Sequence, residues 1–417
     1  MAKNYHDLLW DFTLNGAGQT KLAQLRVFSS EQELYEAAKS SAQSFPVELP
    51  LDWLSTIQTS RAEWTRTQIS TSMLLEFGHR LWDSIPQEAK QPLVEATLKR
   101  PCRLKISGNS PTIDDLPWEW LNNGESPAFA LRPEIRLVRS VPIRLAAPPL
   151  SLEPPLRILL VITNPKDEED LDIERETQAI RSQLNSKHYK VKVLVGPTWD
   201  LLIATLQKEP THIVHYIGHA GIDRGEGNLL LHDENHMTAW VCGTDLAQAL
   251  PLTVWLICLS TCFTVPNYQI LGLSRLAHTS VMNRMPTVVV NQYPVAEDSV
   301  RVFWKSFYTS LIKHHGNINE AFHKAQQTVA ITSATEADWG SFSLVIRDQS
   351  GKPMRIQTKP TNANEQYAEE IQAQLASRLA NDMAQHVIGF SENVPETIQK
   401  QYEDEVTKAS ARIKKLR

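Results

Sequence analysis

The chain has 417 residues, a formal net charge of -5, 42% hydrophobic and 21% charged side chains, which is the balance of an ordinary globular protein of two or three structural units. The slight acidic excess leaves no basic footprint of the kind that nucleic acid demands. No apolar stretch reaches the length of a membrane span, and Met1-Ala-Lys-Asn-Tyr-His6 leads into no signal-peptide core, so a cytoplasmic protein without a membrane partner is expected.

From residue 1 to 147 the pattern predicts an α+β region. Apolar periodicity over Ser30 to Ala42 and Leu74 to Ile85 predicts helices. Pro101 to Ile106 and Ile135 to Val141 alternate like half-buried strands, and the aromatic-rich Leu116-Pro-Trp-Glu-Trp-Leu121 between them reads as a helical turn whose tryptophans pack against a sheet. Ala146 to Pro155 reads as a linker, because its prolines exclude helix interior and central strand alike.

From 156 to 350 strands alternate with helices. Arg157 to Ile162 is a continuous apolar run, as expected of a strand covered on both faces. Helices at Asp172 to Leu184 and Asp200 to Gln207 flank a strand at Lys190 to Val195. The strand ending at His219 follows, then a hairpin-like segment around Gly227 to Leu231, a helix at Asp245 to Ala249 and the strand ending at Cys262. Helices at Leu271 to Thr279, Ala296 to Lys313 and Asn317 to Thr328 alternate with strands at Pro286 to Val290 and Ser341 to Ile346. That order implies a largely parallel sheet with helices on both faces. Residues 358–417 are polar and poor in glycine and aromatics, which predicts a helical or partly disordered tail.

Two segments carry chemistry: Thr211-His-Ile-Val-His-Tyr-Ile-Gly-His219 and Thr253-Val-Trp-Leu-Ile-Cys-Leu-Ser-Thr-Cys262. Each delivers a reactive side chain just beyond the carboxyl end of a buried strand, where open α/β sheets bind their ligands. Cys262 would be the nucleophile and His219 the imidazole that takes its proton. The backbone amides of Ala220 and Cys262 would hold the oxyanion, and Gly218 and Gly221 let the backbone turn near His219. Cys258 reads as a small buried hydrophobe, and the four cysteines suggest no disulfide framework. His212 and His215 fall on opposite faces of a strand, which disfavours a shared metal. His232-Asp-Glu-Asn-His236 reads as a polar turn, and no phosphate-binding glycine loop is present, so neither metal nor other cofactor is expected.

These residues resemble the CHAT domain, a branch of the caspase-like (clan CD) cysteine peptidases that includes separase. The resemblance rests on His212 to His219, Leu229-Leu-Leu231, Ile257-Cys-Leu-Ser-Thr-Cys262 and Pro286 to Asp298. Leu116 to Leu121, Arg139-Ser-Val-Pro142 and Pro155 to Pro165 extend it upstream. It implies a caspase-like fold and a Cys262–His219 dyad cleaving a protein substrate, in an effector of bacterial defence or cell death held inactive until a partner or ligand signals. The amino-terminal region and the polar tail from Thr358 are candidate docking surfaces for an activating sensor protein or for self-assembly. The resemblance also implies an acid in the S1 pocket that pairs with a basic P1 side chain, at Asp298 ahead of Glu297. The residues themselves equally allow both acids to be favourable N-terminal charges of the Ala296 helix. Ala220 stands where the family usually has glycine, and Phe263 to Tyr268 is bulkier than is common there. A catalytically silent scaffold that binds partner proteins is the alternative reading.

Overall fold

The structure is a computed structural model that describes residues 5–14, 22–28, 44–51, 71–98, 101–125, 127–141, 150–168, 173–184, 187–223, 226–261, 272–283, 285–292, 295–332, 338–347 and 354–356. In chain order the elements are β1 (His6–Leu14), β2 (Leu22–Phe28), β3 (Ser44–Glu48), α1 (Thr71–Ser84), α2 (Gln87–Thr97), β4 (Cys102–Gly108), α3 (Pro111–Asp114) and β5 (Ile135–Ser140). Next come β6 (Leu150–Leu152), β7 (Leu156–Ile162), α4 (Ile173–Leu184), β8 (Tyr189–Val195), α5 (Trp199–Lys208), β9 (Ile213–Gly218), β10 (Ala220–Asp223), β11 (Glu226–His232) and β12 (Thr238–Cys242). The remainder are α6 (Gly243–Ala249), β13 (Leu256–Thr261), α7 (Gly272–Met282), β14 (Thr287–Asn291), α8 (Glu297–Lys313), α9 (Ile318–Thr332), β15 (Phe342–Ile346) and β16 (Met354–Ile356).

Among the described residues eleven strands form one sheet in the order β3-β2-β1-β4-β5-β15-β14-β13-β9-β7-β8. From β14 to β8 every pairing is parallel, so the carboxyl ends of these strands share one edge. β15 runs antiparallel to β14 and parallel to β5, which joins the amino-terminal strands to the same sheet. Among the described residues no helix is long and apolar enough to cross a membrane.

The period of two in the strands sorts their side chains onto two cores. Leu160, Ile213, Cys258 and Val289 belong to the face covered by Ile180 and Leu184 of α4 and Trp304 and Tyr308 of α8. Their chain neighbours Leu159, Val214, Ile257 and Val288 belong to the opposite face, under Leu202 and Leu206 of α5 and Leu276 and Val281 of α7. Each such side chain contributes roughly 1.5–3 kcal/mol by leaving water. Local signals agree with this packing: Thr198 caps α5 by accepting from the Leu201 amide, and Ser110 caps α3 ahead of Pro111.

Two expectations are corrected. The β4 and β5 segments alternate charge with apolar residues, yet both strands are buried along nearly their whole length. Their charges stay inside because each is paired. Arg103 and Lys105 share Asp7 at 2.5 and 3.5 Å, and Arg136 meets Glu320 at 3.0 Å. Arg139 meets Glu119 at 2.7 Å while also donating to the Leu116 carbonyl and Gln292. The second correction concerns the proline-rich linker. Its Leu150–Leu152 stretch is β6, paired in parallel with β16, because Leu152 and Ile356 there find a common apolar site. β1, β2 and β3 were not legible as separate strands. The helix expected at Ser30 to Ala42 and the tail at 358–417 lie outside the described residues.

The tryptophans of the 116–121 turn pack as expected, Trp118 against Phe12 and Trp120 against Trp339, with ring centres 4.9 and 4.4 Å apart. Glu119 between them turns the other way to Arg139 and also accepts from the Ser343 hydroxyl at 2.6 Å. This buried pair therefore bolts the 116–121 turn to β5 and β15. Glu119→Ala, which strands the guanidinium, is expected to lower stability by about 3–5 kcal/mol. Adding Arg139→Met should recover a large part of that loss, both changes being read from urea midpoints.

Candidate active site

The parallel pairing of β9 with β13 brings the two reactive segments side by side. Its register runs from Leu256↔Ile213 to Thr261↔Gly218. His219 is the residue that follows β9, and Cys262 is the residue that follows β13 in the chain. Cys262 itself lies outside the described residues, as does the 263–271 segment after it. His219 is 3% exposed.

A compact set of hydroxyl and carbonyl groups surrounds the turn at His219. The His219 carbonyl accepts from the Leu230 amide at 3.1 Å and from Tyr216 Oη at 2.6 Å. Tyr216 Oη also lies 2.8 Å from the Leu230 carbonyl and 2.8 Å from Thr163 Oγ1, at the end of β7. Gly218 serves this arrangement. A Cβ there would sit 2.1 Å from Thr163 Oγ1 and 2.7 Å from Tyr216 Oη, closer than real Cβ contacts allow. The sequence alone shows Gly218 as a residue that lets the backbone turn, and assigns Tyr216 no role of its own. The aromatic hydroxyl three residues before His219 was the one visible sign of a polar role.

β10 leaves His219 and pairs antiparallel with β11, which pairs in turn with β12. This small sheet is tied down beside the same edge. The His232 amide donates to the Pro197 carbonyl, the Asn164 amide to His232 Nε2, and the Lys166 amide to the His236 carbonyl. The 232–236 segment is a turn in which His236 takes a positive φ. Ala220 is a regular β10 residue; among the described residues the non-glycine positions with positive φ are His236 and His315. Alanine in place of the family's usual glycine is thus unstrained here.

The other candidates take separate positions. Asp298 is in the first turn of α8, with its side chain 85% exposed and ion-paired to Arg301 of the same helix. Glu297 opens that helix. His212 accepts the Arg157 amide at 3.1 Å, whereas His215 bonds Tyr308 Oη at 2.7 Å and packs against Trp304. Tyr308 Oη also donates toward Cys258 Sγ at 3.6 Å. Burial pushes the Cys258 thiol far up and holds His215 down at about 3, so this interior group is uncharged at neutral pH.

The geometry defines a class: a largely parallel α/β sheet that places a histidine at the end of one parallel strand beside the end of its neighbour. A family model described as the CHAT domain matches residues 75–348, well over half of the chain, and the chain belongs to that family. The solved structures similar to it include a separase, a gingipain and a caspase, all clan CD cysteine peptidases. The Saccharomyces cerevisiae separase of the separase–securin complex is 11% identical, with a TM-score of 0.50 over 85% of this chain and 30% of that one. The arginine-specific cysteine proteinase gingipain R is 10% identical, with a TM-score of 0.37 over 69% and 70% of the two chains. The Drosophila initiator caspase Dronc is 11% identical, with 0.31 over 48% and 81%. The separase likeness is one of fold, and the chain spans 30% of the separase chain. No curated protein matches it in sequence.

The neutral His215 has a consequence for pH. Its folded-state value of about 3 lies below the ordinary 6.5, so the unfolded chain binds the extra proton between those values. The contribution of His215 to stability is therefore present above about pH 6.5 and falls as pH drops toward 3. Replacing His215 by Asn should flatten the fall of stability between pH 6 and 4 by up to about 1.4 kcal/mol per pH unit. Urea titrations at stepped pH measure that slope independently of the packing lost.

Proposed function

We propose that this protein is a cysteine endopeptidase acting through Cys262 and His219. The observation that carries the reading is the parallel β9–β13 register, Thr261↔Gly218, after which His219 and Cys262 are the next residues in the chain. In the proposed reaction the His219 imidazole accepts the Cys262 thiol proton and the thiolate attacks the peptide carbonyl carbon. The carbonyl oxygen becomes an oxyanion held by the Ala220 and Cys262 amides. Collapse of the intermediate breaks the C–N bond, and the leaving amine takes the proton from the imidazolium. Water, deprotonated by the same imidazole, then hydrolyses the thioester and restores the thiol.

The substrate is a protein with a basic P1 residue, which Asp298, with Glu297 beside it, would bind through a charge-assisted contact. In this role a P1 guanidinium takes the place of Arg301 on the Asp298 carboxylate. Residues 156–350 hold the peptidase unit, while 1–147 and 358–417 offer surfaces for an activating sensor protein or for self-assembly. Such a cytoplasmic, signal-activated effector suits bacterial defence or cell death.

A peptide library incubated with the purified protein, alone and with the proteins encoded beside it, tests this. Cleavage after Arg or Lys is expected, abolished by Cys262→Ala and reduced at least a hundredfold by His219→Ala, with about 10²–10⁴ as the usual yield of acid–base catalysis. Asp298→Ala should raise KM for basic substrates and leave the dyad intact. Cleavage after Asp would overturn the S1 assignment alone. A biological effect that survives Cys262→Ala would overturn the peptidase reading in favour of a scaffold.

A further inference from the structure

We infer that Tyr216 is a positioning residue for the oxyanion donor: its hydroxyl and the Leu230 amide hold the His219 carbonyl, and so aim the Ala220 N–H of the same peptide unit at the substrate. The inference rests on the peptidase reading above.

The His219 carbonyl and the Ala220 N–H belong to one planar trans unit and point in opposite directions. Whatever anchors the carbonyl therefore orients the amide. Two donors do so, the Leu230 N–H at 3.1 Å and Tyr216 Oη at 2.6 Å.

Ala220 lies opposite Leu229, and the neighbouring pair His219 and Leu230 is joined by the amide–carbonyl bond. Antiparallel pairs alternate between bonded and non-bonded, so Ala220–Leu229 is a non-bonded pair. The Ala220 N–H accordingly points away from β11. Among the described residues β10 is the outer strand of its three-stranded sheet, with no strand of that sheet on its other side. Within that described ladder the amide is uncommitted.

Tyr216 Oη touches two carbonyls, of His219 at 2.6 Å and of Leu230 at 2.8 Å, and has one proton to give. Thr163 Oγ1, 2.8 Å away, must then donate to Tyr216, which leaves the tyrosine proton for the carbonyls. The tyrosine is 1% exposed, and burial pushes its ionisation upward, so the proton stays on oxygen. Bonds accepted by the His219 carbonyl also polarise its peptide unit and strengthen the Ala220 N–H as a donor. Gly218 completes the device, since any Cβ at that position would occupy the place of the Thr163 and Tyr216 hydroxyls.

The test uses the full-length protein carrying Tyr216→Phe, which removes one oxygen, and independently Thr163→Val and Thr163→Ser. Peptide hydrolysis is compared with alkylation of Cys262 by iodoacetamide, followed by peptide mass spectrometry. Alkylation displaces iodide from carbon and forms no oxyanion, so it reports the thiolate alone. Losing a whole oxyanion donor costs about 10²–10³ in kcat, and a misaimed one should cost about tenfold to a hundredfold. Tyr216→Phe is expected to lower kcat by that factor with KM within twofold and Cys262 alkylation unchanged. Thr163→Val should follow it more weakly, and Thr163→Ser should restore the rate. Thermal melts show which variants fold, and the two sites give independent answers. Hydrolysis by a folded Tyr216→Phe within twofold of the parent would overturn the inference and spare the peptidase reading. Equal losses in hydrolysis and alkylation would overturn it too, by assigning Tyr216 to the dyad or the fold at large. Absence of Cys262-dependent hydrolysis in the parent protein sinks both.

Discussion

The parallel hydrogen-bonding of β9 to β13 is the constraint on which the rest of this molecule depends. A parallel pair cannot be closed by a tight turn, so the chain must leave β9, cross over and return in the same direction. Here the crossover consists of the β10–β12 sheet and α6. The strand ends thereby come to one edge, and the register decides which residue meets which. A slip of one residue would turn every inward side chain of β13 to the opposite core. Cys258 would then leave the face it shares with His215 and Tyr308, and Ile257 would take its place. The buried packing of β13 is thus what holds the end of that strand level with Gly218.

The second strong element is a set of buried charges on the amino-terminal side of the sheet. Arg103, Arg136 and Arg139 are each nearly or wholly removed from water and each meets a carboxylate. Such pairs add little net stability against apolar replacements, but they penalise every wrong pairing of the strands that carry them. In this sheet they connect segments far apart in sequence: Asp7 with Arg103, Glu119 with Arg139, and Arg136 with Glu320. The match of one family to residues 75–348 agrees with that continuity, since it runs from α1 across β6 to the end of β15.

Much of the sheet was legible in the sequence. Strands that are covered on both faces announce themselves by apolar runs, Ile158 to Ile162 in β7 and Val288 to Val290 in β14. The helices between them differ from expectation by a few residues at their ends, where capping and fraying decide. β4 and β5 were placed correctly but misjudged in depth, because a charged residue normally signals solvent and the distant partners Asp7, Glu119 and Glu320 cannot be seen from the strand itself. β6 was hidden among prolines, for its partner Met354–Ile356 is distant in the chain. At the site, His219 stood out by its place after an apolar run. Tyr216 did not, since nothing in a linear motif tells that its hydroxyl lies against the carbonyl of a residue three places on, or that Thr163 from another strand completes the set.

The position of β15 has a consequence for biosynthesis. β15 is the strand that joins the two halves of the sheet, pairing with β5 on one side and β14 on the other, yet among the strands of that sheet it is the last to be made. Until residues 342–346 emerge, no strand pairing joins the amino-terminal strands to the strands that carry the reactive residues. At about 5–20 residues per second of synthesis, β5 waits on the order of tens of seconds with one edge unpaired. During that interval Arg136 also lacks Glu320, which arrives only with α9. A nascent chain of this protein therefore carries an open, positively charged strand edge, whose charge itself discourages pairing with other chains. The joined sheet forms only after nearly all of the family domain has left the ribosome.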